Sequence, residues 1–104
     1  MEDNVPTGYE KIALHGSLMY GNNLNTIEAG ANRTSIYLYF NQSFGNVNVL
    51  IYDSAGNLCY SGMLNTDGQQ AFIIPIFSTA SGTYYVVLDN ANGYAEGDFN
   101  KESN

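Results

Sequence analysis

The stretch Thr34-Ser-Ile-Tyr-Leu-Tyr-Phe-Asn41 decides the fold. Ile36, Leu38 and Phe40 alternate with Tyr37 and Tyr39, a period of two that sets the first three on one face and the tyrosines on the other. β-Branched and aromatic side chains suit a pleated, half-buried surface, so the segment reads as a strand. Toward the C-terminus the pattern repeats. Val47, Val49 and Ile51 form an inner face, with Leu50 and Tyr52 outward. Tyr84, Val86 and Leu88 then alternate with Tyr85 and Val87.

Turn signals separate these runs. Asn32-Arg33 joins the decisive strand to a shorter one over residues 25–31. Asp53-Ser-Ala-Gly-Asn57, Asn65-Thr-Asp-Gly68 and Asp89-Asn-Ala-Asn-Gly93 carry the residues that tight turns need. Residues 10–18 read as a first strand and 20–25 as a loop. The return strand Leu58 to Leu64 fits two frames, with either Leu58/Tyr60 or Cys59/Met63 inside. Gln70 to Ile76 is a strand that Pro75 places at an edge or ends in a bulge, and Tyr94 to Phe99 is the last strand. No segment sustains a helical period over eleven residues. Seven to eight short strands predict an all-β, immunoglobulin-like antiparallel β-sandwich over residues 10–100. A flexible lead-in (1–9) precedes it and a polar tail (101–104) follows.

Composition narrows the function classes. The 104 residues carry net charge −7, and Lys11, Arg33 and Lys101 are the only Lys or Arg residues, so no basic stripe exists for nucleic acid. Charged residues are 12% of the chain, about half the usual ~25%. Asn, Gly, Ser and Thr together make 39 of the 104 residues, which gives a neutral, polar exterior. Lone Cys59 excludes an intrachain disulfide and a cysteine zinc site, and lone His15 excludes a two-histidine metal centre. The longest apolar run, Ala71 to Phe77, contains Pro75 and falls far short of the ~20 residues that span a bilayer. No cofactor and no metal are expected.

Several residues carry chemistry that must be weighed. Gly82-Thr83-Tyr84 resembles a tyrosine corner, in which the ring packs inward and the hydroxyl bonds to loop backbone. The outward tyrosines Tyr37, Tyr39, Tyr52 and Tyr85 are the candidate ligand or partner surface, expected on one sheet face with some rings side by side, and suited to stacking on sugar rings or to burying a protein. The competing reading is cross-strand pairing that stabilises the sheet, or cover from the N-terminal segment. Each acidic loop offers one carboxylate, where calcium wants six to eight oxygens, so the loops read as turns. His15 has no identifiable carboxylate partner and Cys59 lies in a strand, so no catalytic residue is expected. Asn32-Arg-Thr34 and Asn41-Gln-Ser43 fit the N-glycosylation pattern.

Taken together, Leu14-His-Gly-Ser17, Gly45-Asn-Val-Asn-Val49, Tyr52-Asp-Ser-Ala-Gly-Asn57, Ser81-Gly-Thr-Tyr84 and the closing Gly93 to Phe99 strand resemble the small secreted domains of Bacteroides grouped as DUF3244. More distantly, the chain is similar to the C-terminal sorting domains of the type IX secretion system. The resemblance implies an immunoglobulin-like sandwich and an exported protein: secreted, periplasmic or at the cell surface. It supplies no catalytic residues. Met1-Glu-Asp-Asn has neither the basic start nor the apolar core of a signal peptide, so the sequence reads as a mature chain. Asp53-Ser54-Ala55 looks like the O-glycosylation acceptor of such exported proteins, which marks Ser54. The expected function is non-enzymatic contact with a protein or glycan at the cell envelope, with self-pairing into a homodimer through a sheet face or edge. A sorting domain read by an export system and a small carbohydrate-binding module are the alternatives.

Overall fold

The alternation along each segment resolves into two layers. The computed structural model describes residues 5–17, 27–77 and 80–101. Among them the strands are β1 (Glu10–Ile12), β2 (His15–Ser17), β3 (Ile27–Ala31), β4 (Ser35–Phe40), β5 (Gly45–Tyr52), β6 (Leu58–Thr66), β7 (Gln70–Pro75), β8 (Gly82–Asn90) and β9 (Gly93–Lys101). One sheet has the order β1-β3-β4-β7 and the other β2-β9-β8-β5-β6, with every pairing antiparallel. The loop expected at residues 20–25 lies outside the described residues.

The core lies between the sheets and is built from the alternating sets. Ile36, Leu38 and Phe40 face Val47, Val49, Ile51, Tyr84, Val86 and Leu88, and all nine are wholly buried. Burial of each larger aliphatic or aromatic side chain contributes about 1.5–3 kcal/mol. Phe40 anchors an aromatic cluster, its ring 5.9 Å from that of Phe44 and 5.8 Å from that of Phe72. The crossover from β4 to β5 is pinned by a buried hydroxyl. Thr66 Oγ1 accepts from the Phe44 amide at 2.8 Å and donates to the Gly45 carbonyl at 2.7 Å.

Three expectations change. The strand read over residues 10–18 is two strands in different sheets, which helps to bring the total to nine. Ile12 is buried opposite Ala29 in the first sheet, whereas His15 pairs with Glu96 in the second. The chain passes between layers at Ala13-Leu14. Gly16 makes the landing: its φ is +116°, and a Cβ there would overlap the Tyr94 carbonyl oxygen. Second, β6 follows neither frame throughout. Ile51 pairs with Tyr60 but Tyr52 pairs with Leu58, so Cys59 is the extra residue of a bulge. Cys59, Tyr60 and Leu64 all pack on the core, while Leu58 and Met63 are exposed. Third, β9 runs to Lys101, which is buried with its Nζ 5.9 Å from the Tyr84 ring centroid.

Of the two readings of Pro75, the edge is the one found: β7 is the last strand of the four-stranded sheet. The Asn32-Arg33 turn forms as read: Asn32 Oδ1 accepts from the amides of Thr34 at 2.9 Å and Ser35 at 2.8 Å. Among the described residues no helix is long and apolar enough to cross a membrane.

Candidate functional site

The four candidate tyrosines divide between the two outer faces of the sandwich. Tyr37 and Tyr39 lie on β4 in the four-stranded sheet, and Tyr52 and Tyr85 lie on β5 and β8 in the five-stranded sheet. The single tyrosine-bearing face expected from the sequence is therefore two surfaces, because β4 belongs to one sheet and β5 and β8 to the other, with the core between them.

The β4 pair is partly covered. Tyr9 packs on Tyr37 with ring centroids 5.7 Å apart, and its hydroxyl is 3.0 Å from Ser35 Oγ. Val5 sits so close over Gly30 that a Cβ there would lie 2.6 Å from Val5 Cγ1. Residues 5–9 of the lead-in therefore lie on the outer face of this sheet. That matches the competing reading for Tyr37, cover from the N-terminal segment.

The other pair is more open. Tyr52 and Tyr85 stand directly opposite each other in register, and Leu50 and Val87 oppose each other in a neighbouring row. Tyr85 is 44% exposed and Tyr94, on β9, is 56% exposed. Polar groups flank the rings. Asp98 is opposite Tyr85 on its β9 side, and Asn48 Nδ2 donates to Asp89 Oδ1 at 2.8 Å across β5 and β8. Ala13, His15, Tyr85, Glu96, Gly97 and Asp98 line a hollow of about 280 Å³ on this side. Sequence reasoning found no carboxylate partner for His15. The fold sets Glu96 opposite it, from 81 residues further along the chain, where no local signal links the two.

Among the described residues no three of His, Cys, Asp and Glu gather to hold a metal ion. His15 and Cys59 sit on opposite edge strands of one sheet, four strand spacings or about 19 Å apart. The Cys59 thiol is pushed above its ordinary value, first by burial and then by the Asp53 charge. The tyrosine corner is formed: the Tyr84 ring is wholly buried and its hydroxyl donates to the Ala80 carbonyl at 2.8 Å.

The Asp53 hairpin is an amide-filled turn. Asp53 Oδ1 accepts from the amides of Asn57 at 2.8 Å and Ala55 at 2.9 Å. The Asn57 amide is the main reason the carboxyl titrates below its ordinary value; partial desolvation opposes it, and the Asn57 side chain and the Ala55 and Gly56 amides add to the lowering. Ser54 is exposed at the hairpin tip, with its hydroxyl close over Gly82.

The sequence profile of the family described as "Domain of unknown function (DUF3244)" matches residues 20–101, which is most of the chain. The chain belongs to the DUF3244 family. A solved DUF3244 family protein from Bacteroides vulgatus, described as having an immunoglobulin-like β-sandwich fold, is 19% identical. It superposes with a TM-score of 0.76, covering 90% of this chain and 99% of that one. At this identity the likeness shows the fold alone. Comparison with curated proteins returns no match. The similarity to type IX sorting domains finds no counterpart among these matches. What the DUF3244 sandwich presents chemically is a half-buried aromatic and aliphatic patch, with the Tyr85 ring exposed and polar neighbours around it. Such a surface stacks and hydrogen-bonds.

Proposed function

We propose that this DUF3244 domain is a non-catalytic contact module, secreted or held at the periplasm or cell surface, that engages a protein or glycan of the envelope through the outer face of its five-stranded sheet. The observation that carries the reading is the register pair of half-buried Tyr52 with exposed Tyr85, beside half-buried Leu50 and Val87. A tyrosine ring offers an apolar body and a polar tip, which suits both sugar stacking and protein interfaces. The neutral polar composition, with three Lys and Arg residues in 104, supports an exterior address.

An array of host and bacterial glycans, probed with wild type and with Tyr52→Ala and Tyr85→Ala, tests the glycan branch. Each variant is expected to lose about tenfold in affinity or more, and Tyr39→Ala little. Binding that survives both substitutions moves the site to another surface. A blank array directs the reading to a protein partner.

The sorting reading is tested by fusing the whole domain to a reporter. Removing residues 94–104 would instead pull β9 from between β2 and β8 and unfold the sheet. A reporter exported because of the domain favours sorting. Ser54 is the proposed O-glycosylation acceptor, on the strength of its place at an exposed hairpin tip. An intact mass of the native protein equal to that of the bare chain would dismiss it.

A further inference from the structure

Among the described residues, four strands form the outer edges of the two sheets, and three of them are blunted. β1 and β2 have three residues each, and β7 carries Pro75. The fourth, β6, runs nine residues from Leu58 to Thr66 without a proline or a charged side chain. One side of β6 pairs with β5; among the described residues no strand pairs with the other. Its outward backbone N–H and C=O groups are a template for another strand.

We propose that β6 is a dimerisation edge. Two copies pair β6 to β6, antiparallel about a twofold axis at Met63, and join their five-stranded sheets into one of ten strands. The register follows from the strand itself. Beyond the bulge at Cys59, the regular ladder runs from Tyr60 to Thr66 and is centred on Met63. A twofold there sets Met63 against Met63, Gly62 against Leu64, Ser61 against Asn65 and Tyr60 against Thr66.

Side chains on both faces of β6 favour this arrangement. Met63 is 60% exposed on the outer face, and at the axis two such side chains cover each other. On the inner face, Tyr60 and Leu64 are only partly buried at the rim of the core, with the Tyr60 ring leaning over Gly62. Leu64 of the second copy meets the smallest residue and that ring, and the symmetry makes the match twice. This small-against-large fit belongs to β6 paired with itself, which selects a second copy over an unrelated strand. Each copy carries −7, but that repulsion is screened over about 8 Å at physiological salt. No charged residue stands in the ladder. The dimer does not depend on the contact-module reading. It would place both Tyr52–Tyr85 surfaces on one continuous face, where two weak contacts reinforce each other.

Sedimentation velocity of the full chain from about 1 µM to about 1 mM tests the proposal. Wild type is expected to pass from monomer to dimer across the series. Met63→Lys, which sets two like charges opposite each other at the axis, is expected to weaken association by about tenfold or more. A covalent readout fixes the register. In a Cys59→Ser background, Met63→Cys is expected to form a disulfide-linked dimer under mild oxidation. Ser61→Cys is not, because its two copies lie about 13 Å apart, beyond disulfide reach. A wild type that stays monomeric throughout overturns the proposal. So does a dimer indifferent to Met63→Lys, or one that cross-links through Ser61→Cys and not Met63→Cys. None of these results bears on glycan or protein binding at Tyr52 and Tyr85, so the two readings stand or fall separately.

Discussion

The Tyr84 ring is wholly buried between the sheets while its hydroxyl reaches the Ala80 carbonyl at 2.8 Å. One side chain thus fills the core and fastens the loop entering β8. Tyr84→Phe keeps the ring and leaves the Ala80 carbonyl without this donor, so it should cost about 1 kcal/mol in urea unfolding, while Tyr84→Ala should cost roughly 3–5 kcal/mol. No loss for Tyr84→Phe would mean that the hydroxyl is idle. The hairpin carboxylate Asp53 gives a pH prediction. Its folded-state titration is lowered below the unfolded value, so its contribution is present above the unfolded value and fades as pH falls through the folded one. An NMR titration should place the Asp53 carboxyl below an ordinary aspartate. Asp53→Asn should flatten the acid limb of the stability profile. The Tyr84 corner and the Asp53 turn were legible in sequence because each is local: Gly82 lies two residues from Tyr84, and Asn57 four from Asp53.

Elements follow the sequence where alternation is unbroken and depart from it where the chain changes layer or gains a residue. β4, β5 and β8 keep strict alternation, and their inner faces were readable from it. Ile12 and Leu14 also alternate, which is why residues 10–18 read as one strand. Alternation cannot report that Ile12 and His15 pair in different sheets. In β6 the bulge at Cys59 shifts the frame partway, so each frame is correct for part of the strand. Gly16 carries the physical signature of the sheet change. Gly16→Ala forces an L side chain to φ +116° and against the Tyr94 carbonyl. It should cost about 1–3 kcal/mol and raise amide exchange selectively along β2 and the neighbouring edge of β9. Unchanged exchange there would mean that β2 is not seated as described.

At the scale of the whole molecule, the sandwich decides what the aromatic residues can do together. Tyr37, Tyr39, Tyr52 and Tyr85 each pointed outward in sequence, and period two could not say outward from which sheet. The pairing does: Tyr37 lies under Tyr9 on one face, and Tyr52 stands against Tyr85 on the other. The same topology sets His15 and Cys59 at opposite edges of one sheet, and the proposed contact role rests on the Tyr52–Tyr85 face. Photo-cross-linking in cells that export the protein tests this most directly, with a benzophenone amino acid in turn at positions 52, 85 and 39. The account predicts discrete adducts of higher mass from positions 52 and 85 and few from 39. No adducts from 52 and 85, or equal yields from all three, would contradict it.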